Sequence, residues 1–257
     1  MKIKLFNIGL INMRNNNLNR FSSFFIAVLL ALAFSSCGPK YYIPNSQNVP
    51  LLSQKGETNI NVSLNDDHVN LNGAYAFSDH FGIIGNAGLL IPSDNENGDG
   101  GSGNFVTLGG GYFSKLNDSF VIESYAIFGY GTIENHFPST TEAYPQTTGN
   151  ISANLFRFGM QPSFGYKSDY FSFAISARFM SINYSHISGD LIYGREVQTD
   201  YLKDNSSSVL IEPAITRRGG VKRFKLQLQY GYSYNVTNRN FRQDISFLTL
   251  GANFKFY

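Results

Sequence analysis

The chain has 257 residues and only one cysteine, Cys37. No internal disulfide can form, and a zinc centre built on cysteine pairs is excluded. The four histidines (His68, His80, His136 and His186) are scattered without ligand spacing, so neither a metal nor any other cofactor is expected. Tryptophan is absent, and charged residues make up 15% of the chain, against roughly 25% in soluble domains. Long hydrophobic runs are also missing. The apolar stretch Phe24–Phe34 has 11 residues, whereas a helical membrane span needs about 20. Membrane topology through helices is therefore excluded, and any spanning structure must pair its backbone between strands in a closed barrel.

What is abundant is glycine (25), phenylalanine (23) and tyrosine (16), in a pattern of period two. In the last strand Leu248, Leu250, Ala252, Phe254 and Phe256 share one face, and Thr249, Gly251, Asn253 and Lys255 share the other. An apolar face ending in aromatics is what a lipid-facing barrel strand requires. The run Thr249 to Tyr257 also resembles the C-terminal signal of bacterial outer-membrane barrel proteins, with Tyr257 added after the final aromatic of that signal.

The first 36 residues carry Lys2, Lys4, Arg14 and Arg20 and no acid, then the short apolar stretch, then Ser35-Ser36-Cys37. This pattern predicts a cleaved secretory signal over 1–36. Cys37 sits where the lipobox of bacterial lipoproteins places its lipid-modified cysteine, which this segment resembles, with Phe34 in place of the usual leucine. Without the signal, 16 basic residues face 18 acidic ones, a net charge of −2, so no nucleic-acid partner is expected.

The period-two pattern predicts an all-β, closed, antiparallel, up-and-down transmembrane β-barrel over 57–257, after a periplasmic linker over 37–56. Ten strands are expected near 57–65, 67–78, 80–91, 104–115, 119–133, 151–167, 170–187, 207–218, 222–235 and 243–257. Short turns at 78–80, 116–118, 167–169 and 218–220 alternate with longer connections at 92–103, 134–150, 188–206 and 236–242. Short periplasmic turns and longer outer loops are usual for such barrels, which puts both termini on the periplasmic side. In the sixth strand Phe156, Phe158, Met160, Phe164 and Tyr166 oppose Arg157, Gly159, Gln161, Ser163 and Gly165. The seventh strand (Phe171, Phe173, Ile175 and Phe179 outward) and the ninth (Phe224, Leu226, Leu228, Tyr230 and Tyr232 outward) repeat the pattern. Second faces of glycine, serine and glutamine suit a crowded lumen better than open water, against a soluble lipocalin-like barrel. Pro162 and Pro213 fall within strands, and each predicts a bulge or a ladder defect.

Glu123, Arg157, Gln161, Arg178, Glu212 and Lys225 fall on the inner face. Isolated buried charges cost several kcal/mol, so an interior network is expected, with Glu123 and Glu212 bridging to Arg157 and Arg178 and closing the lumen; a narrow porin-like channel is the alternative. The linker, with Pro39, Pro44 and Pro50 but also Tyr41, Tyr42, Ile43, Val49, Leu51 and Leu52, is expected to pack on the periplasmic rim or enter the barrel. The acidic loop 93–101 lacks the calcium-loop spacing. His186-Ile187-Ser188 is similar to the His-x-Ser arrangement of lipid A deacylase barrels, with Asp190 or Glu196 as the carboxylate. That similarity implies a lipid A-modifying hydrolase as a further alternative. Asp66-Asp67-His68 resembles half of the acidic and Asp/His constellation of ten-stranded outer-membrane proteases; ordinary turn chemistry explains it as well.

Four stretches resemble a group of Bacteroidota outer-membrane lipoproteins of unassigned function: Tyr42-Ile43-Pro44-Asn45 through Lys55-Gly56-Glu57, Ala74 to His80, Gln161-Pro162-Ser163-Phe164-Gly165-Tyr166, and Glu212-Pro213-Ala214. The resemblance implies a lipid-anchored protein of the outer membrane and no activity. In that phylum surface-exported lipoproteins tend to carry acids soon after the cysteine. Gly38-Pro39-Lys40 lacks them, which implies a periplasm-facing lipid. The expectation is a non-catalytic barrel with a structural or accessory role, in contact with outer-membrane lipids and partnering a larger outer-membrane protein complex.

Overall fold

The computed structural model describes residues 38–94, 100–137 and 147–257. The signal segment and Cys37 lie outside the described residues, as do the tips of two loops, including most of the acidic one. Ten strands close on themselves as an antiparallel barrel. In chain order they are β1 (Thr58–Leu64), β2 (His68–Ala76), β3 (Phe81–Asp94), β4 (Gly100–Lys115), β5 (Phe120–Phe137), β6 (Gly149–Lys167) and β7 (Phe171–Gly189). Two short strands follow, β8 (Ile192–Tyr193) and β9 (Glu196–Val197), then a short helix α1 (Gln198–Asp204). The wall resumes with β10 (Ser207–Val221) and β11 (Phe224–Tyr232), continues in the two-residue β12 (Tyr234–Asn235) and ends in β13 (Ser246–Phe256). Each wall strand pairs with its sequence neighbour, and β13 pairs with β1 to shut the barrel, Thr58 opposite Phe256 and Leu64 opposite Leu250. The strand ends depart from expectation mainly at the loop side, where β3, β4 and β5 run further as paired hairpins.

Alternation holds around the wall. Phe128, Leu108, Leu226 and Leu250 are 60–65% exposed on the outside, while Arg157, Gln161, Gln229 and Thr249 are at most 3% exposed within. A belt of exposed Phe, Leu, Ile, Val and Tyr covering every wall strand has no counterpart on a monomeric soluble protein and matches the apolar band of a barrel in lipid. Aromatic pairs sit near the turn end, among them Phe120 on Phe164 and Phe224 on Phe254, with centroids 5.5 and 5.2 Å apart. Among the described residues no helix is long and apolar enough to cross a membrane.

Of the two prolines, Pro213 keeps its place opposite Ala177. At Pro162 the β6–β7 ladder lacks two successive pairs, between Met160/Phe179 and Ser163/Ser176, without a change of register. It is a defect and not a bulge, because a missing N–H removes a bond but adds no residue. A groove of about 500 Å³ opens on the outer wall there, lined by Tyr112, Ile122, Pro162, Phe164, Ile175 and Ala177. The true bulge of β7 lies higher, where the register shifts between Ser152 and Asn154. His186, in the left-handed region at φ 51°, falls in that shift.

The described chain does not begin where both termini were expected. Residues 39–53 form neither helix nor strand; they run lengthwise through the bore, and Tyr41, Tyr42, Asn45, Ser46, Gln47, Val49, Leu51 and Leu52 are all at most 2% exposed. At one end Lys40 and Tyr41 meet the long-loop mouth; at the other Gly56, in the left-handed region, donates to the Ala76 carbonyl at the short-turn mouth and feeds β1. The C-terminal Tyr257 sits at the turn mouth, beside Lys255. Of the two places expected for the linker, the rim or the bore, it takes the bore, and it crosses the wall height inside.

Candidate functional site

The inward side chains of the strands form a socket for residues 41–52. At the loop mouth the Tyr41 hydroxyl donates to Gln198 Oε1 at 2.9 Å, and its ring packs against Tyr201 and Phe241. Arg242 closes that mouth. Its guanidinium stacks over Tyr201 and Tyr193 at 4.4 and 4.9 Å and donates to Glu196 at 2.8 Å and to Gln198. Tyr42 reaches one level deeper and donates to Glu212 Oε1 at 2.8 Å. Glu212 pairs through its other oxygen with Arg178 Nε at 2.5 Å.

Below this, three buried arginines hold the segment. Arg157 donates to Asn45 Oδ1 at 2.9 Å and to Thr107 at 2.7 Å, with its guanidinium 4.5 Å above the Phe105 ring. Arg178 donates to the Asn45 carbonyl at 3.2 Å, and Arg218 to the Val49 carbonyl at 2.6 Å. Gln47 has four bonds: its N–H to Gln229 Oε1, its Nε2 to the Glu212 carbonyl, its Oε1 from Ser176 and its carbonyl from Gln229 Nε2, all within 3.0 Å. The Asn48 carbonyl accepts from Gln161 at 2.6 Å, and its amide donates to Asn86 and to the Gly73 carbonyl, both at 2.8 Å.

Glu123 is the most telling member. Its carboxylate accepts the backbone N–H groups of Leu51 and Leu52 at 3.2 Å each, the Ser163 hydroxyl at 3.0 Å and the Tyr125 hydroxyl at 3.3 Å. No cation lies within ion-pair distance among the described residues, so two of its four donors come from the threaded segment. Small wall residues make room beside it. A Cβ on Gly165 would stand 2.5 Å from Leu51 Cδ2, and one on Gly82 would stand 2.7 Å from Leu52 Cδ1.

The network expected from the sequence is thus rearranged. Glu212 does bridge to Arg178, but among the described residues Glu123 and Arg157 do not meet an ionic partner; each holds the threaded segment. Gln161 belongs to the same socket. Lys225 does not: it lies at the turn mouth, donating to the Ser168 carbonyl at 2.5 Å, because only one residue separates it from the β10–β11 turn. Arg218, Thr107 and Tyr125 were not anticipated. Counting in twos from Glu212 along β10 would have found Arg218; a fully buried Tyr125 on a wall facing protein instead of water had no sequence signal.

The turn mouth is a vestibule of about 580 Å³ lined by Lys115, Lys167, Lys222, Arg223, Lys225 and Lys255, with Asp118 and Asp169. Glu57, fully buried at its edge, pairs with Lys255 at 2.5 Å and Lys167 at 3.6 Å. At the loop mouth Lys40 pairs with Asp244 at 2.7 Å. Asp67, in the β1–β2 turn, is pushed up to about 6 by partial burial, with Asp66 and Asp244 adding to the shift and Lys40 opposing it. Burial likewise raises Asp244 against the pull of Lys40.

The hydrolase-like residues are not brought together. His186 Nδ1 lies 3.3 Å from Ser185 Oγ, while Ser188 Oγ lies 3.1 Å from Ser152 Oγ. Asp190 accepts the Asn150 N–H at 2.8 Å, and Glu196 is held by Arg242. In the Asp66-Asp67-His68 turn, Asn65 Oδ1 accepts the His68 N–H at 2.8 Å and the buried His68 ring meets Phe105 edge-on.

No family model matches the chain, and no curated protein matches it. Solved outer-membrane barrels do. The KdgM porin aligns at 10% identity over 78% of this chain and 99% of its own, with a TM-score of 0.35. LpxR from Salmonella typhimurium gives the same values. An outer-membrane channel from Pseudomonas putida F1 aligns at 10% identity over 82% of this chain and 99% of its own, also at 0.35.

Proposed function

We propose that this chain is a non-catalytic outer-membrane β-barrel lipoprotein, lipid-anchored through Cys37, that is sealed by its own N-terminal segment and serves a structural or accessory role in the envelope. The single observation that carries the reading is the occupied bore. Residues 41–52 satisfy Glu123, Arg157, Arg178, Arg218 and Gln229, and withdrawing them would strand several buried charges, each at a cost of several kcal/mol. An open channel would need that lumen wet. The apolar outer belt supports lipid as the surrounding medium. A larger envelope complex remains the proposed protein partner.

Conductance of the purified protein in planar bilayers tests the seal. The intact chain is expected to carry no steady current, whereas removal of residues 40–52 is expected to open discrete steps. Steady single-channel current from the intact chain would overturn the reading in favour of a narrow porin.

A further inference from the structure

The direction in which the bore is threaded has a topological consequence. Lys40 exchanges two hydrogen bonds with Asn135, both 3.1 Å, two residues from the loop end of β5. The Tyr41 N–H donates to the Arg242 carbonyl at 2.8 Å, Tyr42 bridges to Gln243, and the Asp244 N–H donates to the Tyr42 carbonyl at 2.9 Å. All these partners lie on the long connections or at strand ends beside them. At the far end, the Lys55 N–H donates to Asp79 at 3.2 Å and Ser53 to Glu57 at 2.8 Å, both at the turn mouth. Extended chain covers at most about 3.6 Å per residue, so residues 41–53 can reach roughly 47 Å at most, more than the ~30 Å hydrocarbon core. From Tyr41 to Gln54 the segment carries no charge, which suits it to cross in a packed bore.

We propose that the barrel carries its own N-terminus across the outer membrane and presents it on the outer face, so that Cys37, two peptide links before Pro39, is held on the cell surface and not in the periplasm. The placement of the N-terminus stands on the threading alone; the presence of an acyl group there rests on the lipoprotein reading above. Acyl chains of Cys37 would then enter the outer leaflet beside the long loops, and the barrel would be a conduit for its own anchor.

Cysteine accessibility in whole cells tests this with the full-length protein, each variant scored against the unsubstituted chain, whose Cys37 sets the background. Lys40→Cys is half-buried at the loop mouth, and Gln54→Cys is exposed at the turn mouth. A membrane-impermeant maleimide is expected to label Lys40→Cys on intact cells at least 10-fold more than Gln54→Cys, with the two equal after permeabilisation. An epitope between Gly38 and Pro39, scored beside epitopes at Asn205 (loop side) and between Lys222 and Arg223 (turn side), gives a second readout that needs no substitution in the socket. Staining of the first two on intact cells, and of the third only after permeabilisation, supports the proposal. Labelling of Lys40→Cys, or staining of the N-terminal epitope, only after permeabilisation overturns it. Incorporation of an alkyne fatty acid reports separately on Cys37 acylation, and bilayer current separately on the seal.

Discussion

Single residues decide how firmly the threaded segment is held. Among the described residues Glu123 has no ionic partner and depends on four neutral donors. Glu123→Ala would leave two buried backbone N–H groups without an acceptor, at about 1–3 kcal/mol each. The expected result is a lower thermal midpoint in detergent and faster proteolysis between Tyr41 and Lys55; Glu123→Gln, which keeps one acceptor, should lose less. Asp67 sets a second, pH-dependent feature. Its carboxyl is raised to about 6, above the ordinary unfolded value of about 3.9. A raised acid contributes stability that is complete below the unfolded value and is lost as pH rises through the folded one. The loop mouth is therefore expected to be tighter at pH 4.5 than at pH 7.5, with the raised Asp244 acting in the same sense. Comparing thermal midpoints at those two pH values checks this: in Asp67→Asn the gap should shrink, and an unchanged gap would dismiss Asp67 as its source.

At the scale of elements, the threaded segment and the wall were shaped together. Leu51, itself in the left-handed region at φ 52°, lies over Gly165 on β6. Gly165→Ala is expected to cost about 1–3 kcal/mol by overpacking. Pairing it with Leu51→Ala should return part of that cost, so a double-mutant cycle read by thermal unfolding ought to give a favourable coupling. Strictly additive losses would show that the two do not touch. The strands were legible from the sequence because alternation of side chains is a local property, and the ten expected segments match the wall to within a few residues at most ends. The larger misses are at β3–β5, where glycine-rich and polar hairpins read as loop yet pair as strand, because a ladder needs a partner backbone more than it needs β-branched side chains.

For the whole molecule, the belt of exposed apolar side chains governs behaviour in solution. A Cys37→Ala chain, lacking any acyl group, is still expected to require detergent or lipid to remain monodisperse, as judged by light scattering after detergent removal. A stable monomer in plain buffer would refute the lipid-facing assignment of the outer wall. That assignment and the mixed character of the bore are independent: lipid meets one side of each strand, and the chain's own N-terminal segment meets the other.

By itself the sequence determined the barrel, a count of about ten strands and the two faces of each strand, since a repeat of two is written residue by residue and needs no knowledge of distant neighbours. It also marked Glu123, Arg157, Gln161, Arg178 and Glu212 as inward. What these groups bind was decided only in three dimensions. Asn45, Gln47, Asn48, Val49 and Leu51 take partners between 25 and 182 residues away, and nothing periodic in a proline-interrupted segment announces such contacts. The direction of threading followed from the same cause: a charge-free stretch fits a packed bore, and only the closed wall shows at which mouth the chain begins.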